Sequence, residues 1–246
     1  MRKLPFELGP VAHRGLHDAA RGILENTTSS VAAALAKGYR IEVDVQESAT
    51  GEPVVFHDEE LDRLMEAKGL VKALTPPELK RLAYKGSRDT IMTLDELLEM
   101  IAGRQPLFLE VKTMFTPPGD YERRIAASVQ RYKGPVAVMG FDPWSTLAIK
   151  AAAPGLPYGI ISYRWDDGWM PQLSSGQRFV LRQLLLARRL RADFIAYDID
   201  DLPAFPPLAL KRLFGVPLLT WTVRTPEQQA KARRYADAPI FEGFEP

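Results

Sequence analysis

Strand and helix signals alternate from one end of this chain to the other, and few architectures satisfy that pattern. Short apolar runs of strand character begin near residues 10, 40, 106, 135, 158, 193, 216 and 239. Each of the first seven is followed by a helical stretch. Some of these stretches carry start signals: Thr75-Pro76-Pro77-Glu78, running on to Leu82, and Thr93-Leu94-Asp95-Glu96 are capping boxes, and Asp142-Pro143 and Thr225-Pro226 pair a capping side chain with a first-turn proline. An Ala-rich helix over 29–38 closes on Gly38, and further helices are expected over 121–132, 177–190 and 207–214. Strands separated by helices form a parallel sheet, and eight such units in 246 residues match the size of a (β/α)8 TIM barrel. A doubly wound open sheet is the rival. No Gly-x-Gly-x-x-Gly follows the first strand to support it. The expected fold is therefore one (β/α)8 domain over residues 1–246. The stretch 58–105 is too long for one helix, so a small insertion is expected after the second strand, around 58–92.

Composition narrows the chemistry. There is no cysteine, which excludes a thiolate nucleophile and a Cys-ligated metal, and suits a reducing compartment. A formal net charge of +1 gives no global signal for nucleic acid. The opening MRKLPFELGP lacks the apolar run of a secretory signal, and no stretch approaches the ~18 apolar residues of a membrane span. A cytoplasmic protein without stable membrane insertion is expected. Nothing in the pattern reports an oligomeric state.

The chemistry gathers in residues 41–58, IEVDVQESATGEPVVFHD. In IEVDV, Ile41, Val43 and Val45 alternate with Glu42 and Asp44, so the two carboxylates share one face of a strand. Like charges that close repel unless a cation sits between them, and Mg²⁺ or Ca²⁺ takes oxygen ligands of this kind. A turn-like ATGEP and a second apolar run, VVF, then deliver His57 and Asp58. In barrels of this type function collects at the C-terminal ends of the strands. Those ends carry His13-Arg14, Glu42/Asp44, Glu110/Lys112, Tyr197/Asp198 and Trp221/Thr222. Three carboxylates, two cations and two histidines suit hydrolysis of a phosphate ester, which needs charge offset and proton transfer.

His13-Arg14-Gly15, Glu25-Asn26-Thr27, Glu42-x-Asp44-Val45, His57-Asp58, Glu110-x-Lys112 and Trp221-Thr222-Val223 together resemble the ordered motif series of glycerophosphodiester phosphodiesterases. The resemblance runs from residue 11 to about 223. It implies a TIM barrel that hydrolyses small-molecule glycerophosphodiesters to an alcohol and glycerol 3-phosphate with Mg²⁺ or Ca²⁺. By the same resemblance Glu42, Asp44 and Glu110 would hold the metal, and His13 and His57 would be the acid–base pair. Arg14 and Lys112 would hold the phosphate, while Glu25, Asn26 and Trp221 are candidates for the substrate pocket. Two positions depart from the family pattern. Ser48 stands where a threonine is frequent, and the ending Ile240-Phe241-Glu242-Gly243-Phe244-Glu245-Pro246 replaces a Thr-Asp-Pro-like one.

Plainer readings stand beside these. The three acids could form only a salt-bridge network with Arg14 and Lys112, and Glu25-Asn26 could only cap the first helix. His17 reads as a solvated loop residue and Asp198-Asp200-Asp201 as a turn. Arg178, Arg182 and Arg189 read as the solvated face of an outer barrel helix, although they could touch anionic lipid heads. The same chemistry on a lysophospholipid (lysophospholipase D), or a catalytically silent barrel that binds phosphate-bearing ligands, are the alternative functions.

Overall fold

The computed structural model describes residues 4–166 and 168–246. Eight parallel strands close on themselves: β1 (Val11–Ala12), β2 (Arg40–Glu47), β4 (Leu107–Val111), β5 (Val136–Gly140), β6 (Tyr158–Ser162), β7 (Phe194–Asp198), β8 (Leu218–Val223) and β9 (Ala238–Phe241). Each pairs with the next around the ring, and β1 pairs with both β2 and β9, so no edge remains open. The remaining strand, β3 (Pro53–Val55), takes in Val54 and Val55 of the VVF run and folds back antiparallel on β2 with Val45 opposite Val55. The alternation in the sequence thus yields the (β/α)8 barrel it implies.

Helices follow the strands: α1 (Thr28–Lys37), α2 (Pro76–Leu79), α3 (Leu94–Ile101), α4 (Asp120–Arg131), α5 (Pro143–Ala152), α6 (Ser175–Arg182), α7 (Leu185–Arg189), α8 (Phe205–Phe214) and α9 (Pro226–Tyr235). Their ends obey local chemistry. Thr93 Oγ1 accepts from Glu96 N while Thr93 N donates to the Glu96 carboxylate, satisfying two donors reciprocally. Asp142 and Thr225 accept from the backbone at the starts of α5 and α9. Two helices differ from expectation. Helix α2 stops at Leu79, and the chain continues to Leu82 through tight i→i+3 bonds. The single helix expected over 177–190 breaks into α6 and α7. Ser162 Oγ donates to the Leu181 carbonyl, and Leu184 buries in a left-handed turn at φ 51°, which ends the regular ladder.

Two apolar layers hold the barrel. One lies between strands and helices and includes Val43, Val45, Leu97, Ile125, Ile149 and Ile195. The other fills the barrel interior with Val11, Phe108, Met139, Ile161, Phe194 and Leu219, with Leu4, Phe6 and Leu8 packed against it. Phe108 meets Phe194 edge-on at 5.6 Å, and Gly159 makes room for that ring, since a Cβ there would lie 2.3 Å from it. Burying each such side chain stabilises the fold by about 1.5–3 kcal/mol, so the barrel is a rigid frame for whatever its strand ends carry. The insertion after β3 has its own small core, in which Phe56, Leu61, Met65, Leu79, Tyr84 and Ile91 are fully or nearly fully buried.

Candidate active site

Strand register brings the acids together. Asp44 on β2 pairs with Glu110 on β4, and Glu42 lies two residues earlier on the same inner face. All three are buried, and one carboxylate oxygen from each lies within 4.8 Å of the others. The plainer reading is present too: Lys112 Nζ bonds Glu110 and lies 3.0 Å from Asp44 Oδ1, and Arg14 Nε lies 3.4 Å from Asp44 Oδ2. That network does not satisfy the whole cluster. Asp44 Oδ1 has the Lys112 charge beside it, but Glu42 Oε1 is buried with no hydrogen bond or ion pair among the described residues. Burial, reinforced by the Asp44 and Glu110 charges, pushes the Glu42 carboxyl well above its usual range. Burial would push Asp44 the same way, but Lys112, His57, Arg14 and His13 outweigh it and hold that carboxyl far below. A crowded, buried, oxygen-only set with unfilled lone pairs fits a hard divalent cation.

The first turn of the chain builds one side of the site. After β1, Arg14 and Gly15 adopt left-handed backbone, with Arg14 N on Glu42 Oε2 at 2.9 Å and Gly15 N on the Glu42 carbonyl at 3.0 Å. Only glycine fits at 15, because φ is 77° and a Cβ would sit 2.5 Å from Ser30 Oγ. The turn points Arg14 toward Glu25 (Nη1–Oε1 2.7 Å). Glu25 also accepts from Arg63 Nη2 at 2.6 Å. Asn26 is buried and clasps Asp44 twice, Nδ2 donating to Oδ2 at 2.8 Å and Oδ1 accepting from Asp44 N at 3.1 Å. Glu25 and Asn26 therefore sit behind Arg14 and Asp44, whereas Trp221 lines the cavity itself.

Each candidate histidine is tied to a carboxylate through Nδ1. His57 meets Asp58 Oδ1 at 2.7 Å, and its carbonyl accepts from Gln46 Nε2 at 2.7 Å, which locks the end of β3 onto β2. Asp58 is tied in turn to Arg63 Nε at 2.6 Å. His13 Nδ1 meets Glu242 Oε2 at 2.5 Å, while its Nε2 lies 3.9 Å from Glu42 Oε2. Burial lowers the His13 pKa below the ordinary histidine value, although Glu242 pulls the other way. With Nδ1 engaged by a carboxylate, Nε2 is the nitrogen left to exchange a proton in each ring.

Sequence reasoning did not find Glu242, Arg63, Gln46 or Arg224, whose Nε donates to Glu242 Oε1 at 2.7 Å. A signal for Glu242 was present: closure of a barrel pairs the last strand with the first, so the residue after β9 must face the residue after β1. The register obeys this, with Phe241 beside Ala12. His17 lies nearer the site than a solvated loop residue would, at 3.4 Å from Glu242. Asp198 lines the cavity, and its Oδ1 accepts from Asp200 N in the turn expected there.

A cavity of about 790 Å³ covers these groups. One wall is charged and includes His13, Arg14, His57, Lys112 and Arg224. The other is apolar and includes Met114, Phe141, Tyr163, Trp169, Met170 and Trp221. Phe141 is the hinge of that wall, with Trp169 at 5.0 Å and Trp221 at 5.5 Å, both edge-on.

Known proteins resemble this chain in sequence and in fold. The chain is 30% identical over 161 residues to a glycerophosphodiester phosphodiesterase of Caldanaerobacter subterraneus subsp. tengcongensis, covering 61% of this chain and 65% of that one. It is 30% identical over 178 residues to a glycerophosphodiester phosphodiesterase of Bacillus subtilis, covering 62% and 59%. The matched region thus spans about three fifths of these relatives' lengths. An Oleispira antarctica phosphodiesterase, solved in complex with its product sn-glycerol-3-phosphate, has the same fold with a TM-score of 0.77 at 22% identity, covering 95% of this chain and 93% of that one. The model of the glycerophosphoryl diester phosphodiesterase family matches residues 13–242, from the first histidine to its carboxylate partner, and the chain belongs to that family.

Proposed function

We propose that the protein hydrolyses glycerophosphodiesters to glycerol 3-phosphate and an alcohol. The observation that carries this reading is the buried triad Glu42, Asp44 and Glu110, of which Glu42 and Glu110 line one cavity with two carboxylate-tied histidines. Glu42, Asp44 and Glu110 would hold a divalent metal, Mg²⁺ or Ca²⁺, which when bound polarises phosphoryl oxygens and offsets developing charge. Arg14 and Lys112 stay protonated: burial disfavours their charge, but the surrounding carboxylates raise both pKa values. Held at the rim of the triad, they supply positive charge toward a phosphate. One histidine takes a proton at Nε2 from the attacking hydroxyl, and the other gives one at Nε2 to the leaving alcohol oxygen. Asp58 and Glu242 keep the two rings oriented and stabilise each imidazolium as it forms. Asn26 keeps Asp44 in place between them.

The test is release of glycerol 3-phosphate from glycerophosphocholine and glycerophosphoethanolamine, with EDTA and with Mg²⁺ or Ca²⁺ restored. Release that needs metal and is lost in Glu42→Ala is expected. Release indifferent to EDTA and to that substitution would overturn the metal assignment. Binding of phosphodiesters with no release under any condition would leave a silent binding barrel.

The apolar wall favours a second reading on lysophospholipids. A cavity of about 790 Å³ has room beyond a glycerophosphodiester, and Trp169 (45% exposed) and Met114 (38%) carry the wall out to solvent. Under that reading Trp169→Ala would raise KM for a long-chain lysophosphatidylcholine and leave glycerophosphocholine unaffected. Equal effects on both would remove it.

A further inference from the structure

The outer face built by α6, α7 and α8 breaks the usual pattern of a barrel helix. Such a face normally carries charges of both signs over an apolar stripe turned inward. Residues 168–192 and 202–226 contain no aspartate or glutamate, while the first stretch alone has Arg178, Arg182, Arg188, Arg189 and Arg191. Of the acids near these stretches, Asp193 is engaged by Lys150 at 2.8 Å, Asp201 by Arg164 at 2.5 Å and Asp237 by Lys211 at 2.8 Å, while Glu227 lies at the start of α9. Arg182, Arg188, Arg189 and Arg212 stand exposed, with no carboxylate partner among the described residues.

Large apolar side chains stand out among those arginines. Phe179, Leu185 and Phe214 are exposed, and Leu213 is 73% exposed. The Arg188 guanidinium lies over the Phe214 ring at 4.6 Å, so α7 and α8 present one surface rather than two. At the start of α8, on the end of the barrel that carries the cavity, Phe205 extends the same apolar character at 82% exposure.

We infer that this face docks the protein on an anionic lipid surface. Apolar side chains interleaved with unpaired arginines match a bilayer interface, where the former enter the headgroup–acyl boundary and the latter meet phosphates. A second copy of the chain fits poorly, because a two-fold contact would set arginine against arginine. Nucleic acid would use the arginines but gives no role to Leu185 and Leu213. Among the described residues no helix is long and apolar enough to cross a membrane, and the contact inferred is with the bilayer surface. Docking is independent of the reaction proposed above.

The experiment is flotation with vesicles of phosphatidylcholine alone, or with about one part in three phosphatidylglycerol. Binding to the anionic vesicles only, weakened by salt, is expected. Arg188→Gln/Arg189→Gln should bind roughly 30-fold more weakly, at a charge contribution of about 1 kcal/mol per arginine near such a surface. Leu213→Ser/Phe214→Ser should weaken binding at high salt as well. Arg233→Gln/Arg234→Gln on α9, an equal change in net charge, should leave binding unchanged. Hydrolysis of soluble glycerophosphocholine should be the same in every variant, which reports folding and separates this result from the catalytic one. No binding to anionic vesicles, equal binding to neutral ones, equal loss in the α9 variant, or preference for RNA at matched salt would each overturn the inference.

Discussion

His13 and His57 come from elements 44 residues apart, yet each gives Nδ1 to a carboxylate, at 2.5 Å and 2.7 Å. The repeated arrangement is chemically economical: a charged acceptor fixes the tautomer, orients the ring and leaves Nε2 for proton exchange. The two carboxylates differ in their own anchors. Asp58 sits beside Arg63 and the charge on Glu242 is held by Arg224. Burial would raise both carboxyls, but the histidine and arginine partners outweigh it and hold both well below the usual range, so each stays charged. Asp58→Asn and Glu242→Gln keep the side chain's size, remove the charge and turn one of its two acceptor oxygens into a donor. Each should lower kcat by about 10–100-fold with a much smaller change in KM, measured on glycerophosphocholine. Loss confined to KM would show that these acids shape the pocket without acting on the histidines.

At the scale of elements, the insertion is fixed to the barrel through its charges as well as its core. Arg63, on the insertion, bridges Asp58 after β3 and Glu25 before α1, and Glu25 holds Arg14 in turn. Burial would raise the Glu25 carboxyl, but hydrogen bonds from Arg63 and Arg14 win and lower it from 4.5. Below 4.5 the unfolded chain therefore binds more protons than the folded one, so these bonds stabilise fully above that value and fade as pH falls through the lowered folded pKa. Glu25→Gln should cost about 1–3 kcal/mol in urea unfolding at neutral pH, with the gap to wild type closing below about pH 4. A constant gap at all pH values would assign the loss to packing. Elements of this kind mark where the sequence was legible. Buried strands and capped helices announce themselves locally, which is why β2, β4 and α3 stand where their patterns put them. Arg63 lies in an irregular stretch whose turns are set by Phe56, Leu61 and Met65 packing together, so no period betrayed it. Glu242 and the α6–α7 break depend on contacts between elements, His13 with Glu242 where β1 meets β9 and Ser162 with Leu181 between β6 and α6, which local propensity does not encode.

At the scale of the whole molecule, the closed barrel holds a destabilising cluster at its centre. Neighbouring strands force Glu42, Asp44 and Glu110 together, and the folded Glu42 carboxyl is raised above 4.5 by burial and by both neighbours. The sign is opposite to that of Glu25. Between 4.5 and the raised value the folded protein binds more protons than the unfolded chain, so metal-free stability falls as pH rises through that window. A bound divalent cation would remove the repulsion and require the carboxylate, so binding should release a proton and tighten with pH, by at most about tenfold per unit for one proton. Glu42→Gln separates the two effects. In EDTA at neutral pH it should match or exceed wild-type stability, by about 1–2 kcal/mol, because a buried neutral amide replaces a crowded acid. With Mg²⁺ or Ca²⁺ at about 100 times the wild-type Kd, wild type should gain about 2.7 kcal/mol and the variant almost nothing. Thermal unfolding of both proteins with and without metal reads this directly. A variant less stable in EDTA, yet gaining as much from metal as wild type, would mean that Glu42 belongs to the barrel's polar core and that the cation binds elsewhere.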